Sequence, residues 1–275
     1  MVSTIQALDA SNSGLTKKSL DVGGYTAHYY EGGAENSEVL VLLHGLTDDK
    51  NSFVKSVSEL TETHRVILPD LQAHGENAQV KGRDYSIKGQ ANFIRDLLEK
   101  LGVKSLDLVG NSMGGHTAAA FTYRNPGMVK KLILIGATGM PLDHGSTYFY
   151  FPEKVDTHYM KEMYANSLAN PPDFPEPIWN YLAAELNAKS QFFNTLVAEV
   201  ENGEDFRLDD KMKSVKLPTL ILWGKEDKVV PMSYAKGFHS RIQNSELKLI
   251  DGGHAPQIEV PEIVQNEIYR FIKAN

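Results

Sequence analysis

Short apolar runs recur along this chain and alternate with segments of helical or loop character, and no other feature restricts its fold as much. The runs are EVLVLL (38–43), RVILPD (65–70), SLDLV (105–109), KLILIG (131–136), PTLILWG (218–224) and ELKLI (246–250). A continuous run of β-branched residues and leucine suits a strand buried on both faces, as in a parallel sheet. The intervening spacing predicts a polar helical segment over 51–60 and helices over 87–101, 112–124, 232–240 and 260–273. The 87–101 helix stops at Gly102. Upstream, residues 17–22 and 25–30 flank Gly23-Gly24 and read as a hairpin. Alternation of this kind predicts an α/β fold, a mostly parallel central sheet with helices on both faces. In such sheets ligands bind beyond the carboxyl ends of the strands.

The alternation breaks once. Between Gly139-Met140-Pro141 and Leu217-Pro218 there is no strand signal, only aromatics, prolines and helical stretches such as 178–200. A connection this long is either functional or disordered, and its apolar content argues against disorder. It is read as a helical cap, residues 141–216, inserted after the sixth strand of a core formed by 1–140 and 217–275. Within it, STYFYFPE (146–153) carries four consecutive aromatics. These could line an acyl pocket or face a lipid surface; packing of the cap against the core is the plainer reading.

Bulk composition excludes several function classes. The 275 residues carry a formal net charge of −7, and since phosphate backbones need a basic surface, no nucleic-acid partner is expected. There are no cysteines, so disulfides, thiolate metal sites and cysteine nucleophiles are ruled out. No apolar run approaches the roughly 20 residues needed to span a bilayer. The amino terminus, MVSTIQALDASNSG, has no basic region followed by an apolar one, so a cytoplasmic protein without a signal peptide is expected. No H-E-x-x-H or G-x-G-x-x-G pattern appears, so neither a metal nor a dinucleotide cofactor is expected. The oligomeric state is not legible in the sequence.

Gly110-Asn111-Ser112-Met113-Gly114 matches G-x-S-x-G between a predicted strand and a predicted helix, the setting of a nucleophile elbow. The bare pattern is common by chance, and a glycine-rich turn can contain a serine. The strand before it and the helix after it favour the elbow. A serine hydroxyl needs a base to take its proton. Of nine histidines, His254 in DGGHAP directly follows a strand. His116 is nearer in sequence but lies on the helix that leaves the elbow, and a structural role is expected for it. His44 is expected to pack its loop, His74 belongs to the loop after 65–70, and His28, His64, His144, His158 and His239 show no partner pattern. The imidazole in turn needs an acid. WGKEDKVVP (223–231) offers Glu226 and Asp227, which the string alone does not separate, and Asp251 is too close to His254 to reach its ring properly.

The set of motifs resembles the α/β-hydrolase superfamily over nearly the whole chain, in particular its monoacylglycerol lipases and small bacterial lipases and esterases. HGLTDDKNSF is similar to the loop after their third strand, GNSMGG to their elbow, and GGHAPQIEVPE to their histidine loop. LPDLQAHGEN resembles their D-x-x-G-x-G loop, with Gln72 and Ala73 departing from the usual residues. WGKEDKVVP is similar to their G-x-x-D-x-[VI]-[VI]-P, and this resemblance assigns the acid to Asp227. It implies an α/β-hydrolase fold, a Ser112–His254–Asp227 triad, and an oxyanion hole built from the backbone N–H groups of Leu46 and Met113. An apolar acyl site is also expected, for which Met140, Phe149, Trp179, Phe192 and Phe193 are candidates.

The expected activity is hydrolysis of a small-molecule acyl ester, such as a glyceride, through an acyl-enzyme. Two alternatives accompany it. GNSMGG and GATGMP (136–141) also resemble carbon–carbon bond hydrolases of ring-cleavage products, although HGLTDDK fits that group less well. A ligand-binding receptor on the same fold is the other, against which stands a competent residue at every triad position.

Overall fold

In the computed structural model, residues 2–140 and 148–274 are described, 2–5 by their backbone alone. Residues 141–147, which include His144 and the first two residues of STYFYFPE, lie outside the described residues. The eight strands are β1 (Thr16–Asp21), β2 (Thr26–Gly32), β3 (Val39–Leu43), β4 (Arg65–Pro69), β5 (Leu106–Asn111), β6 (Val129–Ile135), β7 (Thr219–Gly224) and β8 (Ser245–Ile250). They form one sheet in the order β1-β2-β4-β3-β5-β6-β7-β8. The β1–β2 hairpin and the β2–β4 pair are antiparallel, and every other pairing is parallel.

Side chains of the buried strands sort by the two-residue period of a strand into two cores. Val41, Leu43, Leu108, Leu132, Leu134, Ile221 and Trp223 face one layer. Leu40, Leu42, Val109, Ile133, Ile135, Leu220 and Leu222 face the other. The first layer holds α2 (Ile87–Lys100), α3 (Met113–Arg124) and α7 (Met232–Arg241), which contribute Ile94, Leu97, Phe121 and Phe238. The second holds α9 (Pro261–Lys273), a 3-10 helix at Lys50–Ser56, and an amino-terminal helix α1 (Val2–Asn12), with Ala10, Phe53, Val264 and Ile268 buried.

Two elements differ from the sequence expectation. The segment read as helical over 51–60 is the 3-10 helix Lys50–Ser56, with Asp49 capping it by accepting from the Asn51 N–H (2.8 Å). Helix α1 was not expected, because the apolar residues of VSTIQALDASN form no stripe at helical spacing.

Between β6 and β7 the chain forms α4 (Thr157–Ser167), α5 (Glu176–Asn202) and the single turn α6 (Asp209–Met212). Helices α4 and α5 bury a separate apolar cluster that includes Phe151, Val155, Met160, Trp179, Leu186 and Phe193. Buried Asp205, beyond α5, ties this segment to the core through Tyr123 and Arg124 of α3 and also binds Lys211 of α6. Among the described residues, no helix is long and apolar enough to cross a membrane.

The strand order fixes where a ligand can sit. The chain leaves β3 towards β4 on one side, then returns to place β5 on the other. Connections diverge at the carboxyl ends of β3 and β5 and open a crevice there, the usual ligand position in an open α/β sheet.

Candidate active site

Ser112 stands at the tip of β5, where the strand turns into α3, with φ 54° and ψ −119°. Its N–H donates to the Ile135 carbonyl (2.9 Å), and its own carbonyl accepts from the His116 N–H (3.0 Å). Both partners of the turn are therefore backbone groups of neighbouring elements. The helix passes so close to β3 that a Cβ on Gly114 would lie 2.3 Å from the Leu43 and His44 carbonyl oxygens. The second glycine of G-x-S-x-G is thus required by backbone approach.

Two amides in the turns after β3 and β5 have no internal partner. Among the described residues, neither the Met113 nor the Leu46 N–H donates to a protein acceptor. Met113 is the first residue of α3, where the helix end concentrates positive potential. Leu46 sits in a turn closed by the Asp48 N–H donating to the Gly45 carbonyl (3.3 Å), with Thr47 at φ 67°.

His254 follows β8 and buries its ring against Asp227, which follows β7. Nδ1 and Asp227 Oδ2 are 2.9 Å apart. A carboxylate only accepts, so Nδ1 carries the proton and Nε2 keeps a lone pair. Asp227 Oδ1 accepts from the N–H groups of Val229 (2.9 Å) and Val230 (2.8 Å), which fixes the carboxylate plane. Glu226 turns away and accepts from the Gly252 N–H (2.9 Å), while Asp251 pairs with Lys225. The choice that the string left open is thus a geometric one, with Asp227 on the imidazole. Ser112, Leu46 and His254 all line one cavity of about 720 Å³. Ser112 Oγ makes no hydrogen bond to His254 among the described residues, and such contacts often tighten only when substrate is bound.

Three further residues hold this arrangement, and none was singled out from the sequence. The Asn111 side-chain amide donates to the carbonyls of Ile135 (3.1 Å) and His254 (3.0 Å), and its oxygen accepts from Gln257 Nε2 (3.0 Å). Both side chains are buried and join the elbow to the histidine loop. Gly136, at φ 51°, leaves room for the acid–base pair. A Cβ there would lie 3.2 Å from Asp227 Oδ2 and from His254 Nδ1. The only sequence signal for these residues was their adjacency to GNSMGG, KLILIG and GGHAP, since their partners come from distant loops.

The other histidines near the sheet are structural. His116 Nε2 lies 2.7 Å from the Asp205 carbonyl and Nδ1 3.0 Å from the Tyr148 hydroxyl; burial holds its pKa down to about 4. His44 accepts from the Leu71 N–H at Nε2 (3.0 Å) and donates from Nδ1 to the Gly45 carbonyl (2.8 Å), also with its pKa lowered by burial to about 4. It shapes the loop that carries Leu46, as expected of it. Buried His74 packs between His44 and Phe193, each 5.3 Å away centre to centre, and burial lowers its pKa to about 3.

Met160, Met163, Tyr164, Leu182, Leu186 and Phe193 of α4 and α5 supply the apolar wall of the cavity. Of the five residues expected at an acyl site, Phe193 is the one that lines it. Met140 is buried in the core against Gly237, and Trp179 is buried among Tyr164 and Phe174. Phe192 packs edge-on against Tyr85, and Phe149 is 38% exposed, edge-on to Phe151.

Known proteins are similar to this chain over most of its length. A crystal structure of a membrane phospholipase A, a bacterial virulence factor, superposes with a TM-score of 0.91 at 26% identity, covering 98% of this chain and 90% of that one. Lipase 1 of Psychrobacter immobilis is 26% identical over 261 residues, 91% of this chain and 82% of its own length. A 2-hydroxy-6-oxononadienedioate/2-hydroxy-6-oxononatrienedioate hydrolase of Paraburkholderia xenovorans is also 26% identical, over 293 residues and 99% of each chain. The family model for the alpha/beta hydrolase fold matches residues 38–261, which span β3 to the start of α9 and include Ser112, Asp227 and His254, and the chain belongs to that family.

Proposed function

We propose that this protein is a serine hydrolase of carboxylic esters. The observation that carries the proposal is the Asp227–His254 hydrogen bond in one cavity with a serine held at an elbow. Ser112 Oγ attacks the acyl carbon while His254 Nε2 takes its proton. Asp227 keeps the ring in the required tautomer and stabilises the imidazolium. The Leu46 and Met113 amides hold the oxyanion, so two backbone donors meet the charge as it develops. His254 then passes its proton to the leaving alcohol, and water releases the acyl group by the same steps in reverse roles.

Residues 141–216 act as the cap of this site, since their helices provide its apolar wall. A medium-length acyl chain against Met160, Leu186 and Phe193 suits that wall, and the lipase and phospholipase relatives support an acyl ester substrate. Ser112→Ala is expected to abolish turnover of p-nitrophenyl esters. Near wild-type activity in that variant would end the proposal. The Paraburkholderia relative supports a second reading, cleavage of a carbon–carbon bond in a ring-cleavage product. A meta-cleavage dienoate assayed beside a short-chain ester separates the two.

A further inference from the structure

Asp48 lies two residues beyond Leu46 and lines the same cavity as Ser112. No step of the proposed reaction uses it. It is half-buried, and its Oδ1 accepts from the Asp49 N–H (2.9 Å). Burial first, and the neighbouring Asp49 second, push its carboxyl pKa up to about 7. Lys50, the next residue but one, does not offset that charge, because its amine is bound to Asp70 and Glu76 at 2.7 Å each. Across the cavity stands Tyr164 of α4, close enough for the charge on Asp48 to help raise its pKa beyond the effect of burial. Among the described residues, the other carboxylate and amine groups on the lining are Asp49 beside it and Glu185 and Lys189 on α5. Among the described residues, three side chains with carboxyl groups and one with an amine therefore line this cavity, which also holds Leu46 and Ser112.

On the reading of the site as an ester hydrolase, we propose that Asp48 is a specificity-determining residue that admits esters of neutral, hydroxyl-bearing alcohols and disfavours esters whose alcohol part is anionic. A carboxylate accepts hydrogen bonds from alcohol hydroxyls. It repels phosphate or carboxylate at short range in a partly desolvated site, where charge interactions are less screened than in water. The apolar side chains of α4 and α5 on this lining carry no charge with which to distinguish such substrates.

The test compares a 1-acylglycerol with the 1-acylglycerol 3-phosphate of the same chain, at about pH 8, where an acid of pKa near 7 is ionised. The reading is the ratio of the two kcat/KM values, which does not depend on how much of a variant folds. Wild type is expected to favour the uncharged ester at least ~10-fold, Asp48→Asn to lower that ratio ~10-fold, and Asp48→Glu to retain it; tenfold corresponds to about 1.4 kcal/mol. A wild-type ratio near one, a ratio that Asp48→Asn leaves within about twofold, or equal losses in Asn and Glu variants would overturn the inference while the ester hydrolase reading stands. If wild type turns over no ester at all, including p-nitrophenyl esters, both fall together.

Discussion

Ser112 holds a backbone conformation that costs a non-glycine residue of order 1–3 kcal/mol. It is not isolated in this. The three non-glycine residues with positive φ among the described residues are Thr47, Ala73 and Ser112. They lie in the turns that follow β3, β4 and β5, so the strain is gathered along the edge where the cavity opens. Relaxed geometry there would move Ser112 out of the crevice or turn the Leu46 amide. Asp227 shows a different constraint. Its Oδ1 receives two backbone N–H groups, from Val229 and Val230, so an asparagine at this position must keep its oxygen on that side. The asparagine NH2 would then face His254 Nδ1, which would have to accept, and the ring proton would move to Nε2. That is the wrong tautomer for a general base. Asp227→Asn is therefore expected to lower kcat by about 10⁴ with p-nitrophenyl esters while leaving the fold intact. A normal rate in that variant would transfer the role to Glu226.

The histidine loop is held from both sides of the cavity. On the core side, Asn111 and Gln257 bond it to the elbow. On the other, the Ser167 carbonyl at the end of α4 accepts from the His254 N–H (2.7 Å). The Glu259 carboxylate gathers the N–H groups of Gly253 (2.8 Å), Ala169 (3.2 Å) and Asn170 (2.6 Å). Those amides favour its charged form and hold its pKa below the usual range, although burial opposes them. Glu259→Ala removes the acceptor that joins α4 to the loop, at a cost of about 1–3 kcal/mol. Faster amide hydrogen exchange at 168–170 and at Gly253, with lower kcat/KM, is the expected result; unchanged exchange at those amides would show that the Ser167 bond alone is sufficient. These contacts mark the limit of what the sequence makes legible. Strands β3 to β8 show because each is a run of local apolar residues, and Ser112 and His254 show because each stands just after such a run; position alone leaves the acid between Glu226 and Asp227, and only the resemblance of WGKEDKVVP separates them. Asn111, Gln257 and Gly136 are defined by partners more than twenty residues away, which no local pattern carries. Met140 and Trp179 look like acyl-site residues by type, but which way they turn depends on how the helices pack. α1 leaves no trace at all, for want of an apolar stripe.

Considered as one cooperative unit, the protein buries an unusual set of neutral imidazoles. His44 and His116 have their pKa values lowered to about 4 and His74 to about 3, in each case chiefly by burial. In the unfolded chain each takes up a proton near the ordinary histidine value of about 6.5. The unfolded state therefore binds more protons than the folded one below that pH, and these groups withdraw stability as pH falls from about 6.5 towards 4. Carboxyl groups with raised pKa values act in the opposite sense. Asp48 and Asp107 are raised to about 7 and about 6, so the folded state holds their protons longer and they add stability on the same descent. The two sets oppose each other, so the slope in the wild type is shallower than the imidazoles alone would give. His116 allows its share to be isolated, because it lies outside the cavity and both its ring nitrogens have protein partners. A glutamine can donate to the Asp205 carbonyl and accept from Tyr148 but cannot titrate. His116→Gln is thus expected to flatten the dependence of unfolding free energy on pH by up to about 1.4 kcal/mol per unit between pH 6 and 4.5, as read from urea midpoints. Carboxylates with lowered pKa values, Glu31, Glu76, Asp205 and Glu259 among them, lose their contribution as pH falls through and below the ordinary carboxylate range, in both proteins alike, and leave this difference unchanged. Parallel pH profiles in the two proteins would mean that His116 takes up its proton without unfolding, and that the contact between the elbow helix and the Asp205 segment opens in acid while the sheet stays folded.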